Sequence, residues 1–80
     1  MFFTYVIKSI VDGSEYVGMS ASPEERLIEH NRGKVRSTKR KLPWKIIYLK
    51  GFSDRPLART HEKYLKSAAG RRFRKTILGD

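Results

Sequence analysis

The sequence has no cysteine in its 80 residues, which excludes disulfide staples and cysteine-ligated zinc. Its two histidines, His30 and His61, are too few to complete a zinc set at the usual spacing. Only three prolines are present, and no Pro/Gly/Ser-rich stretch or internal repeat divides the chain. The length therefore points to one domain over residues 1–80. Long apolar runs are also missing. The longest uncharged stretch at the N-terminus, Met1–Ile7, is too short for a signal-peptide core or a membrane span, so the expectation is a soluble, cytoplasmic protein with no membrane partner. Acidic residues are scarce: eight Asp+Glu face 18 Lys+Arg, for a net charge of +10. That excess costs self-repulsion unless a polyanion neutralises it, which makes nucleic acid the leading partner. At 39% hydrophobic the chain is globular rather than disordered.

Phe2–Ile10 is rich in aromatic and β-branched residues, Asp12-Gly13 supplies a turn, and Tyr16–Ser20 resumes strand character, which reads as a β-hairpin. Ser22-Pro23-Glu24-Glu25 is a helix-start signal with a capping hydroxyl, and the helix is expected to run to about Arg32, stopped by Gly33. Six of the ten residues from Arg32 to Lys41 are basic, with almost nothing to bury, as in a solvated loop. Trp44–Lys50 has a fully apolar centre, as expected of a strand covered on both faces and central to its sheet. Ser53 and Asp54 can cap a second helix whose apolar pattern is Leu57, Ala58, His61, Tyr64, Leu65 and Ala68, with Gly70 ending it. A last short helix would place Phe73 and Ile77 one turn apart against the core. The order ββαβαα predicts an α+β fold, a three-stranded, mainly antiparallel sheet packed by helices.

A two- or four-residue hairpin loop about Asp12-Gly13 pairs Tyr5 with Ser20 and puts Tyr5 and Tyr16 on one face, whereas a three-residue loop separates them. Gly18 would then leave a hollow through which a phosphate could reach the backbone. Arg26 and His30, four apart, sit one above the other at the rim of the core, either as working groups or as exposed residues of an ordinary amphipathic helix, and Glu29 could pair with a nearby lysine. Glu62, the sole acid between Asp54 and Asp80, falls between the apolar stripe and the basic stripe of Arg59, Lys63 and Lys66. It could be a helix salt bridge or a cation ligand. His61, Trp44 and Tyr48 read as core rather than as ligands or stacking platforms.

Taken together, Thr4-Tyr5-Val6, Tyr16-Val17-Gly18 eleven residues on, Arg26-x-x-x-His30 on the next helix and Glu62 on the helix after the third strand resemble the GIY-YIG nuclease domain. The likeness covers nearly the whole chain and is strongest toward small stand-alone members, where Glu-His-Asn, a Ser-Thr-Lys stretch, a Pro-led strand and Glu-Lys-Tyr-Leu-Lys-Ser recur in that order. Thr4 stands where the name residue is glycine, Met19 where some relatives carry lysine, and no asparagine follows Glu62. The resemblance implies a metal-dependent endonuclease acting on DNA, directed by structure rather than sequence, of the kind used in DNA repair, or a nucleic-acid-binding module that kept the fold and lost turnover.

On that resemblance Tyr5, Tyr16, Arg26, His30 and Glu62 form the catalytic set. Glu62 would hold one Mg²⁺ or Mn²⁺, Arg26 would offer its fork to non-bridging oxygens, His30 would relay a proton, and the two tyrosines would share base and positioning roles. A tyrosine is ionised about once in a thousand at neutral pH at its reference pKa of ~10, so nearby cations must favour the phenolate. Arg32, Lys34, Arg36, Lys39, Arg40 and Lys41, none with an obvious acidic partner, together with Lys63 and Lys66 would track the backbone with little base specificity, leaving room for a protein partner to supply it. The oligomeric state is open.

Overall fold

The computed structural model describes residues 1–78, with side chains through Thr76. Chain order is β1 (Phe2–Ser9), β2 (Glu15–Ser20), α1 (Pro23–Asn31), β3 (Trp44–Phe52), α2 (Arg55–Lys66) and α3 (Ala68–Leu78), with a 3-10 turn at Lys39–Lys41. This is the expected ββαβαα fold, a three-stranded antiparallel sheet with three helices. The expected core contact of Ile77 lies outside the described side chains.

The sheet order is β2-β1-β3, so the central strand is β1 and not β3. Thr4 to Ile7 are all buried, while Leu49, Lys50 and Gly51 of β3 are exposed. The apolar run in β3 has another cause. A bulge opposite Val6/Ile7 pairs Ile46 with Ile7 and Tyr48 with Val6, leaving Ile47 between them. Ile46 then packs on one face, and Ile47 and Tyr48 both pack on the other. One side carries Tyr5, Ile7 and Trp44 with Tyr16, Leu27, Leu42 and Ile46. The opposite side carries Val6, Val17 and Leu65 with Ile47, Tyr48 and Phe73. Leu27 brings α1 to the first, and Leu65 and Phe73 bring α2 and α3 to the second.

The hairpin turns earlier than the Asp12-Gly13 signal suggests. Ser9 N–H donates to the Ser14 carbonyl at 2.8 Å, enclosing Ile10–Gly13 with Gly13 at φ +77°. The Ser9 hydroxyl anchors the loop by accepting from the Val11 and Asp12 amides at 3.1 and 3.3 Å. Tyr5 therefore pairs with Gly18 rather than Ser20, and Ile7 with Tyr16. A shift of two residues preserves side-chain parity, so both tyrosines still share a face.

Helix ends mix expected and unexpected devices. Asp54 caps α2 by accepting from the Leu57 amide at 3.0 Å. The Ser22 hydroxyl makes no cap bond; its carbonyl instead accepts from the Arg26 amide at 3.0 Å. Gly33 at φ +75° follows α1 as expected. Gly70 does not end α2, which stops at Lys66. It lies inside α3, where a side chain would collide with the Tyr64 carbonyl and the Leu65 backbone. Leu57 and Tyr64 are exposed, so the buried stripe of α2 narrows to Ala58 and Leu65. No helix among the described residues is long and apolar enough to cross a membrane.

Candidate active site

Tyr5 stands at the centre of β1, opposite Gly18, and is 2% exposed. Its ring lies across the glycine: a Cβ at Gly18 would fall 2.5 Å from Tyr5 Cζ and Oη. The expected phosphate hollow does not exist, because that ring fills it. Glycine is required there for the tyrosine to lie flat on the strand. Thr4, at the position of the missing glycine of the first motif, points to the other face and donates its hydroxyl to the Ala58 carbonyl of α2 at 2.8 Å.

His30 is completely buried rather than at the rim. It lies under α1 with its Nε2 3.0 Å from Tyr5 Oη and its Nδ1 2.8 Å from Thr38 Oγ1. Thr38 in turn donates its hydroxyl to the Val35 carbonyl at 3.3 Å. With that proton committed, Thr38 accepts from His30 Nδ1–H, so Nε2 is the acceptor and Tyr5 O–H the donor. The Arg26 guanidinium lies near the Tyr5 oxygen, and the hydrogen bonds run in one consistent direction from Tyr5 through His30 and Thr38 to Val35. Tyr16, half-buried, sets its ring edge against His30 with centroids 5.1 Å apart.

Burial pushes the Tyr5 phenol up to about 12, helped by the neighbouring Tyr16 and Glu62, and the Arg26 guanidinium only partly offsets this. Nearby cations were expected to favour a phenolate; at Tyr5 desolvation wins and the phenol stays neutral. Burial, then the Arg26 charge, lowers the His30 pKa, so the imidazole is neutral at pH 7. Arg26 pairs with Glu29 at 3.2 Å, which removes the lysine partner expected for Glu29. The half-exposed Ile28 and the half-buried Leu27 show that the apolar pair beside Arg26 and His30 is only partly core.

Glu62 projects from the flank of α2, its side chain 14% exposed, between Arg59 at 3.6 Å and Lys66 at 3.3 Å. Its charge reaches Tyr5, although α2 covers the opposite face of the sheet. His61 lies on the other flank of α2, half-buried, its Nε2 2.9 Å from the Tyr48 hydroxyl. Trp44 is core, 4% exposed.

The segment from Arg32 to Lys41 is less free than its composition suggests. Thr38 is buried, and its carbonyl accepts from Trp44 Nε1–H at 2.9 Å. Asn31 clamps the start of β3, donating to the Trp44 carbonyl at 3.0 Å and accepting its amide at 2.7 Å. Arg32, Lys34, Arg36, Lys39 and Arg40 remain exposed, as does Lys63 on α2. Lys41 instead reaches back to the hairpin, 3.5 Å from Asp12 and 2.9 Å from the Ser14 hydroxyl. Thr38 is the functional candidate missed in the sequence. Its one signal is a small β-branched polar residue in a basic stretch, which does not distinguish a solvated threonine from a buried anchor.

The model of the GIY-YIG catalytic domain matches residues 1–76 of this chain. The chain belongs to the GIY-YIG catalytic domain family. A UPF0213 protein of Streptococcus pneumoniae serotype 4 is 41% identical over 56 residues, 69% of this chain and 57% of that protein. A UPF0213 protein of Bacillus licheniformis is 38% identical over 63 residues, 78% of this chain and 65% of that protein. The chain thus spans less than two thirds of the length of these relatives. No solved structure matches it.

GIY-YIG domains are endonuclease domains, which supports a nuclease with a nucleic-acid substrate at the family level, and they generally use divalent metal ions. Among the described residues no three His, Cys, Asp or Glu side chains form a metal cage. A single accessible carboxylate is nonetheless enough for Mg²⁺, which keeps several waters and takes the remaining oxygens from substrate phosphates. Glu62, only 14% exposed and paired with Arg59 and Lys66, would have to be freed from both cations to serve in that mode, and it does not fit a resident, fully protein-bound ion.

Proposed function

We propose that the chain is a metal-dependent endonuclease that hydrolyses phosphodiester bonds in DNA, with residues 1–80 acting as one nuclease domain. The observation that carries the reading is the directional hydrogen-bond chain from Tyr5 through His30 to Thr38, with Arg26 beside Tyr5. Burying three polar groups, Tyr5, His30 and Thr38, for stability alone is a poor trade against an apolar core, and none of the buried side-chain polar atoms described lacks a partner.

Tyr5 is the positioning phenol. It is held neutral by burial and packs beside the Arg26 guanidinium, which would face the non-bridging oxygens of the scissile phosphate. Tyr16 is the less buried of the two phenols; it orients the attacking water and, as the phenolate, takes its proton to return to the phenol. His30, neutral and held by hydrogen bonds to Tyr5 and Thr38, fixes the Tyr5 hydroxyl and buttresses the ring of Tyr16. Glu62 would hold the divalent cation, which stabilises charge on the phosphoryl and leaving oxygens when bound. Arg59 and Lys66 must yield the carboxylate to it.

Arg32, Lys34, Arg36, Lys39 and Arg40, with Lys63, follow the DNA backbone. Phosphate contacts carry no sequence information, so the substrate is selected by its shape or by a protein partner. This fits a cytoplasmic nuclease of DNA repair. One observation favours the alternative of a binding module with weak or no turnover: Glu62 already has two cationic partners.

Glu62→Gln decides between them. The substitution keeps shape and helix propensity but removes the charge. Single-turnover cleavage of branched and nicked DNA should fall ~10²-fold or more, the usual effect of losing one electrostatic stabiliser. Binding should survive. Wild-type cleavage rates in the variant would overturn the metal role, and a wild-type protein that binds but never cuts would establish the binding module.

A further inference from the structure

Tyr16 has a second set of neighbours. On the β2 edge of the sheet it opens onto a cleft of about 360 Å³ lined also by Glu15, Val17, Lys66, Arg71 and Arg74. The cations come from two helices: Lys66 ends α2, while Arg71 and Arg74 lie one turn apart on α3. The walls hold three cations to one carboxylate, with the Lys66 ammonium also reaching Glu62 at 3.3 Å outside them.

That one carboxylate is already engaged. Arg74 donates from Nη1 to Glu15 Oε1 at 2.5 Å and from Nε to the Leu65 carbonyl at 3.1 Å, and the two paired side chains are only 13% and 14% exposed. Arg74 is thus a fixed wall of the cleft rather than a mobile surface side chain. Its charge is disfavoured by burial and then by the charge of Arg71 beside it. Arg71 is exposed and has no ion pair or side-chain hydrogen bond among the described residues. Two guanidinium groups held together with only one carboxylate between them create a local positive potential that an anion relieves. A tetrahedral anion suits the place best, because it can take the planar fork of Arg71 on one pair of oxygens and the point charge of Lys66 on another.

We infer that this cleft is a phosphate-binding subsite, in which Arg71, backed by Arg74 and Lys66, holds the backbone phosphate next to the one cleaved at Tyr16. Its place beside the cleaved phosphate rests on the nuclease reading; the subsite itself rests on the geometry of α2, α3 and β2. The strand would run past Tyr16 over the β2 edge and be gripped on both sides of the reacting bond, which selects a strand long enough to place a phosphate beyond the scissile one.

The test has two arms. In the first, inorganic phosphate is titrated into ¹⁵N-labelled protein, following the Nε–H signals of Arg71 and Arg74 and the amide of Val17, for wild type and Arg71→Gln. These signals should shift saturably, with affinity about tenfold weaker in the variant, as for loss of one charge-assisted hydrogen-bonding group. Thermal melts should coincide, because Arg71 is exposed. In the second arm, DNA carries one uncharged methylphosphonate on either side of the cleaved bond. Wild type should lose about tenfold in substrate affinity for one of the two placements, with the cleavage step little changed, and Arg71→Gln should be indifferent to that placement. Absent phosphate shifts in the cleft, or equal affinity in Arg71→Gln, would overturn the subsite even if the wild type cuts DNA. Phosphate bound at Arg71 in a protein that never cuts would uphold the subsite and sink the nuclease reading instead.

Discussion

Thr38→Val replaces a hydroxyl by a methyl at a fully buried position, and its consequences can be worked from the hydrogen-bond chain. His30 Nδ1–H loses its acceptor at 2.8 Å, and the Val35 carbonyl loses a donor at 3.3 Å. If the imidazole keeps its tautomer, a buried N–H is left unpaired, at a cost of ~1–3 kcal/mol. If the proton moves to Nε2, that N–H and the Tyr5 O–H face each other across 3.0 Å and the tyrosine hydroxyl must turn away. Adding the lost bond to Val35, the total is ~2–4 kcal/mol, against only ~3–5 kcal/mol expected from so small a core. At ~4–8 °C per kcal/mol, the melting temperature should fall by ~10 °C or more. Thr38→Ser keeps the hydroxyl and should cost only ~1 kcal/mol for the missing methyl. The assays are thermal and urea melts, a ¹⁵N spectrum reporting the His30 tautomer, and a cleavage rate at a temperature where all variants are folded. Cleavage should drop in Thr38→Val and recover in Thr38→Ser. A Thr38→Val protein melting within ~2 °C of wild type, or a wild-type His30 carrying its proton on Nε2, would refute the proposed direction of the chain.

Neutralising Lys39 and Arg40 together should lower the slope of log affinity against log salt by up to ~1.8 on duplex DNA, at ~0.9 per phosphate contact. Adding Lys41 should change it less, because Asp12 already engages that side chain; binding isotherms at several salt concentrations would check both. The Tyr5 phenol, near 12 in the folded protein and near ~10 when unfolded, binds its proton more tightly in the folded state. Its contribution to stability is therefore full below pH ~10 and is lost as pH rises from there through about 12, by roughly 3 kcal/mol in all. Tyr5→Phe should abolish that alkaline decline in urea unfolding. His30 has the opposite sign: its lowered pKa gives stability that is present above pH ~6.5 and is lost as the solution becomes more acid.

The local signals in the sequence were enough for the element order, the Asp54 cap and the end of α1 near Gly33, because each depends on spacing within one or two elements; whether Tyr5 and Tyr16 share a face stayed open between loops of even and odd length, and the four-residue loop decided it. Parity survived even where register did not, since the Ser9-anchored loop moved the pairing by two residues rather than one. The same signals misplaced the central strand. An apolar run of four reads alike whether the strand is covered on both faces or carries a bulge, and only pairing with β1 distinguishes them. What tertiary structure alone decided is which polar groups are buried together. His30 reads as a rim residue on its own helix, yet Tyr5, 25 positions earlier, and Thr38, eight later, close over both ring nitrogens and make burial affordable. Gly18 looks like a hollow until the ring of the facing strand fills it. Arg74 reads as one more surface cation until Glu15, 59 positions away, fixes it beside Tyr16. Helix and strand periodicity record which face a residue occupies; the partner that satisfies a buried hydrogen bond or charge comes from whichever element packs there, and that is settled only when the chain closes on itself.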